Sequence, residues 1–129
     1  MDTKNKKYLF LINHNPKPVP KDSYHVWHPA TDLFETSQAY IVKIEICGMK
    51  DEGFSINFDK NILTVLGTRI GYDSVGCYHR MEIPYGEFST SIHIPGKVNI
   101  NIIEAFYKNG ILTVVLPKSS PINVEITEK

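Results

Sequence analysis

Cysteine is scarce in this chain: Cys47 and Cys77 stand thirty positions apart. That is neither the spacing of a redox pair nor that of a zinc knuckle. Two ordinary thiols in a reducing compartment are expected, with a single disulfide as the alternative. Long apolar runs are missing too. Tyr8-Leu9-Phe10-Leu11-Ile12 is five residues long, against the roughly 20 that a membrane span needs. Lys4, Lys6 and Lys7 precede this run and Asn13-His14-Asn15-Pro16 follows it. Its apolar part is too short for a signal peptide, and no small-residue cleavage site comes after. A cytoplasmic protein with no stable membrane insertion is expected. Nor is there an excess of charge, since 14 basic residues balance 14 acidic ones. Nucleic-acid affinity rests on Lys and Arg neutralising phosphates, so no nucleic acid is expected as a partner. A neutral chain also repels copies of itself only weakly.

The groups of catalysis are equally thin. No glycine-rich phosphate loop with its lysine occurs, and no G-x-S-x-G elbow. Glu45 and Asp51-Glu52 fall on a strand face and a turn, where solvated charge is the default. Five histidines are scattered at 14, 25, 28, 79 and 93. His25-x-x-His28 is a conceivable ligand pair, but no Cys or carboxylate stands at the spacing of a structural zinc site. Surface histidines, no metal, no cofactor and no enzymatic activity are therefore expected.

What is present is β pattern. The length of 129 residues suits one domain. Residues 1–23 carry five lysines against two aspartates and end in Pro16-Lys17-Pro18-Val19-Pro20. Such a proline run prefers extended geometry and removes backbone donors, so it reads as an arm and linker. Residues 24–117 show period-two alternation, which sends alternate side chains to opposite faces of a strand. Tyr40, Val42, Ile44 and Ile46 alternate with Ile41, Lys43, Glu45 and Cys47. Phe54, Ile56 and Phe58 alternate with Ser55, Asn57 and Asp59, and Ile62–Leu66 is a further run. Phe88, Thr90, Ile92 and Ile94 follow, then Val98, Ile100 and Ile102, then Ile111–Leu116. Gly48, Gly53, Asp59-Lys60-Asn61 and Pro95-Gly96 punctuate them. Asn109-Gly110 is the strongest turn signal, because both residues tolerate the positive φ of a tight hairpin. Asn101–Lys108 before it is read as a strand, with a helical turn as the alternative.

Several short strands joined by tight turns indicate an all-β sandwich or barrel. The long connection Gly71–Gly86 stands apart, and Cys77–Ile83 within it reads as one more short strand offering a free edge. Cys77 there is read as an inert thiol, with oxidation sensing as the alternative. Residues 118–129 form a tail in which Ile122, Val124 and Ile126 alternate with Asn123 and Glu125. The cluster Tyr8, Leu9, Phe10, Leu11 and Ile12 is expected to be an exposed client-binding or assembly patch. The alternative is an edge strand packed on its own domain.

In order and spacing these pieces resemble the small heat-shock proteins, the α-crystallin family, in its microbial and plant branch. The residues that carry the resemblance are Trp27-His28-Pro29-Ala30-Thr31-Asp32-Leu33-Phe34-Glu35, Cys47-Gly48, and Leu63-Thr64-Val65-Leu66-Gly67-Thr68-Arg69. Tyr78-x-Arg80-x-Glu82, Tyr85-Gly86-x-Phe88, Ile94-Pro95, Ala105–Leu112 and Val124-Glu125-Ile126 complete it. The last of these is similar to the family's I-x-I anchor. The resemblance implies an immunoglobulin-like antiparallel sandwich without enzymatic activity. It implies an ATP-independent holdase that binds unfolding proteins, built from dimers that assemble into larger homo-oligomers. The dimer interface would use Trp27, Pro29, Asp32, Tyr78, Arg80 and Glu82, with the loop strand paired to the partner's opening strand. Ile122, Val124 and Ile126 would anchor the tail in a groove lined by Phe54, Ile56, Phe58, Ile100 and Ile102. Where many family members carry arginines, this chain has Thr90, Ser91 and His93. The alternative functions are a monomeric adaptor like a CS domain, and a purely structural assembly protein.

Overall fold

The computed structural model describes residues 26–50, 53–71, 76–120 and 126–127, and the backbone of 7–8 and 12–13. Nine strands form two sheets: β1 (Lys7–Tyr8), β2 (Ile12–Asn13), β3 (Thr31–Glu35), β4 (Ala39–Glu45), β5 (Phe54–Asp59), β6 (Ile62–Arg69), β7 (Gly86–His93), β8 (Glu104–Lys108) and β9 (Ile111–Pro117). One sheet has the order β1-β8-β9-β4-β3 and the other β2-β5-β6-β7. All pairings are antiparallel except β2 on β5, which is parallel. The sequence-based expectation of an all-β antiparallel sandwich therefore holds.

The alternation in the sequence becomes the core. Val42 and Ile44 of β4 face inward while Lys43 and Glu45 face water. Phe54, Ile56 and Phe58 come inward from β5, Leu63 and Val65 from β6, Phe88 from β7, and Leu112, Val114 and Leu116 from β9. Burying each such side chain contributes about 1.5–3 kcal/mol. Two hairpins have two-residue turns with both residues at positive φ: Lys60 and Asn61, then Asn109 and Gly110. This geometry matches the right-handed twist of the flanking strands. Lys60 is an uncommon residue there. The turn is held by Asn61, whose Nδ2 donates to the carbonyls of Ile94 (3.1 Å) and Gly96 (2.8 Å). Gly67 serves a different purpose, since a Cβ at that position would collide with the Phe88 ring and the Gly53 carbonyl.

Two expected strands do not form. Val98 makes only an isolated bridge to Lys118, and Ile100–Ile102 is a 3-10 turn. Asn99 causes this: its side chain accepts from the backbone N–H of Asn101 at 3.2 Å, which turns the chain before a ladder can start. Cys77–Ile83 is not a strand either. Within one copy the nearby edge of β7 is already occupied by Trp27, which bridges Phe88 and exchanges backbone hydrogen bonds with Glu87 and Ser89. Among the described residues no helix is long and apolar enough to cross a membrane.

The burial pattern predicts sharply different costs on the two faces. Ile44→Ala, at a fully buried site, should lower unfolding free energy by about 2–5 kcal/mol. Ile62→Thr, on the outer face of β6, should change it by about 0.5 kcal/mol or less. Urea titration of the two variants beside the parent checks both.

Candidate functional site

One side of the sandwich ends in β3, the outermost strand of its sheet. Its ladder to β4 runs from Thr31↔Ile44 to Glu35↔Tyr40, and its other edge carries no pairing among the described residues. Phe34 on this strand is 45% exposed, with the Lys43 ammonium 6.0 Å from its ring centroid. The strand is locked in place from behind. Thr31 Oγ1 lies 2.9 Å from Thr90 Oγ1 on β7, joining the two sheets, and Lys118 Nζ meets Glu35 Oε2 at 2.5 Å. The short hydroxyl of Thr90 is thus used within the chain. Ser91 does the same with Thr64 at 3.1 Å, while His93 is exposed.

Beside this edge the loop 76–85 is tied down at one foot by Arg69, which the sequence placed in the Leu63–Arg69 motif without a role of its own. Arg69 is 8% exposed. Its Nε donates to the Pro84 carbonyl at 3.0 Å, its Nη2 donates to the same oxygen, and its Nη1 donates to the Cys47 carbonyl at 3.3 Å. Its guanidinium carbon lies 4.4 Å from the Trp27 ring centroid and 5.3 Å from that of Tyr85. Guanidinium keeps its charge when buried and stacks on aromatic faces, which an ammonium does less well. One side chain therefore joins the end of β4, the opening residue Trp27 and the foot of the loop. Its signal was present in the sequence: Leu63, Val65, Gly67 and Arg69 share the inward face of one strand.

Beyond that foot the loop stands in solvent. Tyr78, Met81 and Ile83 are 53%, 56% and 62% exposed. Arg80 and Glu82 approach each other only to 4.0 Å with both side chains largely in water, and such a pair contributes little. Of the six residues expected at a dimer interface, Trp27 is half-buried, Pro29 is buried, and Asp32, Tyr78, Arg80 and Glu82 are exposed. Cys47 and Cys77 are both free and exposed thiols.

The opposite side of the sandwich is formed by β5 and β8, joined through the Phe54–Tyr107 ring contact at 5.2 Å. The expected groove needs correcting here. Phe54, Ile56 and Phe58 do not line an open surface; they are 9%, 0% and 5% exposed and belong to the core. Ile100 and Ile102 of the 3-10 turn are about half exposed. The arm also departs from the expectation of a patch held off the domain by its prolines. Lys7–Tyr8 pairs with Phe106 and Ala105 on β8, and Ile12–Asn13 pairs with Ile56 and Asn57 on β5. Leu9, Phe10 and Leu11, and the tail residues Ile122 and Val124, lie outside the described residues. Ile126 is 91% exposed. Among the described residues no group of three or more His, Cys, Asp or Glu is gathered as a metal site.

Two measurements test this geometry. Arg69→Lys keeps the charge but loses the fork and the stacking. It should lower stability by about 1–3 kcal/mol and raise amide exchange across 76–85. Tyr107 donates its hydroxyl to the Ile46 carbonyl at 2.7 Å. Burial pushes its ionisation above the usual 10.0, against the opposing effects of the Met49 backbone N–H and Arg69. The folded form thus holds this proton more tightly than the unfolded chain. Its contribution is intact below the ordinary tyrosine range and is lost as pH climbs through the raised value. A pH series of urea midpoints should fall in that alkaline window, and Tyr107→Phe should flatten the fall.

With this geometry established, known proteins can be set beside it. The Hsp20/alpha crystallin family model matches residues 32–128. Small heat shock protein C2 of Rickettsia felis is 36% identical over 92 residues, covering 70% of this chain and 60% of that protein. Heat shock protein 16 of Schizosaccharomyces pombe is 35% identical over 94 residues, covering 70% of this chain and 66% of that one. The chain thus matches less than two-thirds of the length of either relative. Among solved structures, HSP18.5 from E. histolytica superposes with a TM-score of 0.65 at 31% identity, over 78% of this chain and 100% of that one. Heat shock protein 16.0 from Schizosaccharomyces pombe gives the same TM-score and identity over 79% and 98%. The family match spans most of the sandwich and the tail, and the solved relatives superpose on the same fold; this chain belongs to the Hsp20/alpha crystallin family.

Proposed function

We propose that this protein is an ATP-independent holdase chaperone of the cytoplasm, built from dimers that assemble into larger homo-oligomers. The observation that carries the reading is the pairing of an open strand edge with a tethered apolar loop on one side of the sandwich. The β3 edge offers backbone donors and acceptors and the exposed Phe34. The loop offers Tyr78, Met81 and Ile83 on a foot clamped by Arg69. A strand edge is completed by another strand. In a dimer the loop of one copy adds to the β3 edge of the other, with Trp27, Pro29 and Asp32 meeting Tyr78, Arg80 and Glu82. Membership of the family supports this arrangement.

Higher assembly uses the tail. Ile122, Val124 and Ile126 dock on the β5–β8 side of a neighbouring dimer, with Ile100 and Ile102 at its rim. Burying two β-branched side chains contributes about 3–6 kcal/mol before ordering costs, and ordering a tail returns part of it. One contact is therefore weak and reversible. Several contacts in one assembly reinforce each other through effective concentration. Subunits then exchange while the assembly persists, and each departure uncovers apolar side chains that take up partially unfolded clients. The arm cluster Tyr8–Ile12 is a client surface when it leaves its edges. The work is reversible apolar association, which needs no cofactor and no catalytic group.

The monomeric adaptor is disfavoured by the long loop with its exposed apolar face, which has no use in a solitary sandwich. A purely structural assembly protein would oligomerise yet leave client aggregation unchanged. Two measurements decide. At near-stoichiometric amounts the purified protein should suppress light scattering by a heated client. Deleting residues 119–129 should reduce native mass to that of a dimer with the sandwich spectrum intact. Unchanged client scattering removes the holdase reading, and a one-chain mass for the parent removes the assembly.

A further inference from the structure

A short ladder on the outer edge of β7 is interrupted just after Trp27. Trp27 lies against that edge as a parallel bridge to Phe88. Its N–H donates to the Glu87 carbonyl at 3.1 Å, and its carbonyl accepts from the Ser89 N–H at 3.0 Å. In a parallel pair such bonds follow one another at even spacing. The next would run from the N–H of residue 29 to the Ser89 carbonyl. Residue 29 is a proline and has no N–H. The Ser89 carbonyl instead meets Nδ1 of His28 at 2.6 Å. A carbonyl oxygen only accepts, so Nδ1 carries the proton, and the imidazole supplies the donor that the backbone lacks. The chain then leaves for β3, with Thr31 Oγ1 donating to the Pro29 carbonyl at 3.0 Å.

Two strand edges meet on this side of the sandwich. On β3 the Ala30 carbonyl and the Thr36 N–H bond to β4. Strand alternation therefore turns the backbone groups of Thr31, Leu33 and Glu35 outward. On β7 the outward groups are those of Glu87 and Ser89, and by the same alternation those of Ser91 and His93. Among the described residues no strand lies on that last stretch. His28 stands where the closed part of the β7 edge ends. We infer that His28 is a positioning residue of the dimer border: its ring replaces the donor missing from Pro29, closes the β7 edge at Ser89, and leaves β3 as the edge to which a partner's loop adds. With the Ser89 carbonyl uncovered, Ser89, Ser91 and His93 form a continuous second edge that competes for the same loop. The inference rests on the dimer proposed above.

Three variants separate the donor from the ring. His28→Asn sets an amide nitrogen as many bonds from the backbone as Nδ1, His28→Gln sets it one bond farther out, and His28→Ala removes it. His28 is exposed, so all three should fold. Nitrogen NMR of the parent ring at about pH 8, above the ordinary imidazole range, should show the Nδ1–H tautomer. Residue-resolved amide exchange of the full chain is then read below and above the concentration at which dimers form. In the parent, association should protect Thr31, Leu33 and Glu35 and leave Ser91 and His93 unchanged. In His28→Ala and His28→Gln, the Ser89 amide should exchange about tenfold faster at low concentration, as expected for one lost hydrogen bond. Protection on association should then spread to Ser91 and His93. His28→Asn should exchange within about twofold of the parent and keep its protected edge. An Nε2–H tautomer, a His28→Ala variant with the parent's exchange and protection, or a His28→Asn variant that behaves like His28→Ala overturns the inference. A parent of one-chain mass removes the dimer and the choice of edge with it, whereas a dimer whose protected edge ignores position 28 removes this inference alone.

Discussion

A sandwich of two open sheets satisfies the backbone groups of its inner strands and leaves those of its outer strands facing outward. Each outer strand carries a row of amides and carbonyls on one side that only another length of chain can pair in full. This protein has such a border on both sides. On one side the β7 edge is met by Trp27, and the β3 edge carries no pairing among the described residues. On the other, β8 receives Lys7–Tyr8 and β5 receives Ile12–Asn13. Natural sandwiches blunt their edges with short strands, prolines, charge or bulges. Every functional reading offered for this protein is a statement about what fills them.

Arg69 shows how a buried charge can serve an edge through carbonyl oxygens and aromatic faces. Among the described residues its partners are the carbonyl oxygens of Pro84 and Cys47 and the rings of Trp27 and Tyr85. Those partners belong to three segments far apart in the chain, so the side chain fixes their relative positions. The foot of the loop is thereby rigid while its apolar middle stays in water. A loop without that foot would have to be ordered entirely at the moment of association, at a larger entropic cost. Thr90 and Ser91 complete a similar economy on β7. Their hydroxyls bond Thr31 and Thr64 within the chain, so this border is built from neutral contacts.

Legibility followed the physics of each element. The strands β4, β5, β6 and β9 were readable because half-buried strands must alternate, and their alternation is uninterrupted from Tyr40 to Ile46 and from Phe54 to Phe58. The Asn109-Gly110 turn was readable because few other residues take its dihedral angles. Val98–Ile102 misled because three β-branched residues at period two look like a strand, while one Asn99 side chain captures the backbone first. Cys77–Ile83 misled differently: its pattern is that of a strand, but within one copy the nearby edge of β7 is already met by Trp27. Phe54, Ile56 and Phe58 were rightly grouped on one face, yet an inward face is core, and sequence cannot say whether that face ends in a groove or in the opposing sheet. Arg69 was legible in parity alone, on the inward face with Leu63 and Val65, whereas Asn57 has the parity of the exposed Ser55 and is buried all the same.

By itself the sequence determined the two-faced strands, the tight turns, the neutral surface and the order of motifs that places the chain in its family. All of these are local, set by side-chain period, dihedral preference and composition within a few residues. Only the tertiary structure decided which edges carry pairing among the described residues, that Arg69 clamps the loop foot from beneath, and that Lys7–Tyr8 and Ile12–Asn13 lie on the side where a tail was expected to dock. Those are relations between segments tens of residues apart, created when two sheets pack about 10 Å from each other, and no local pattern encodes that distance.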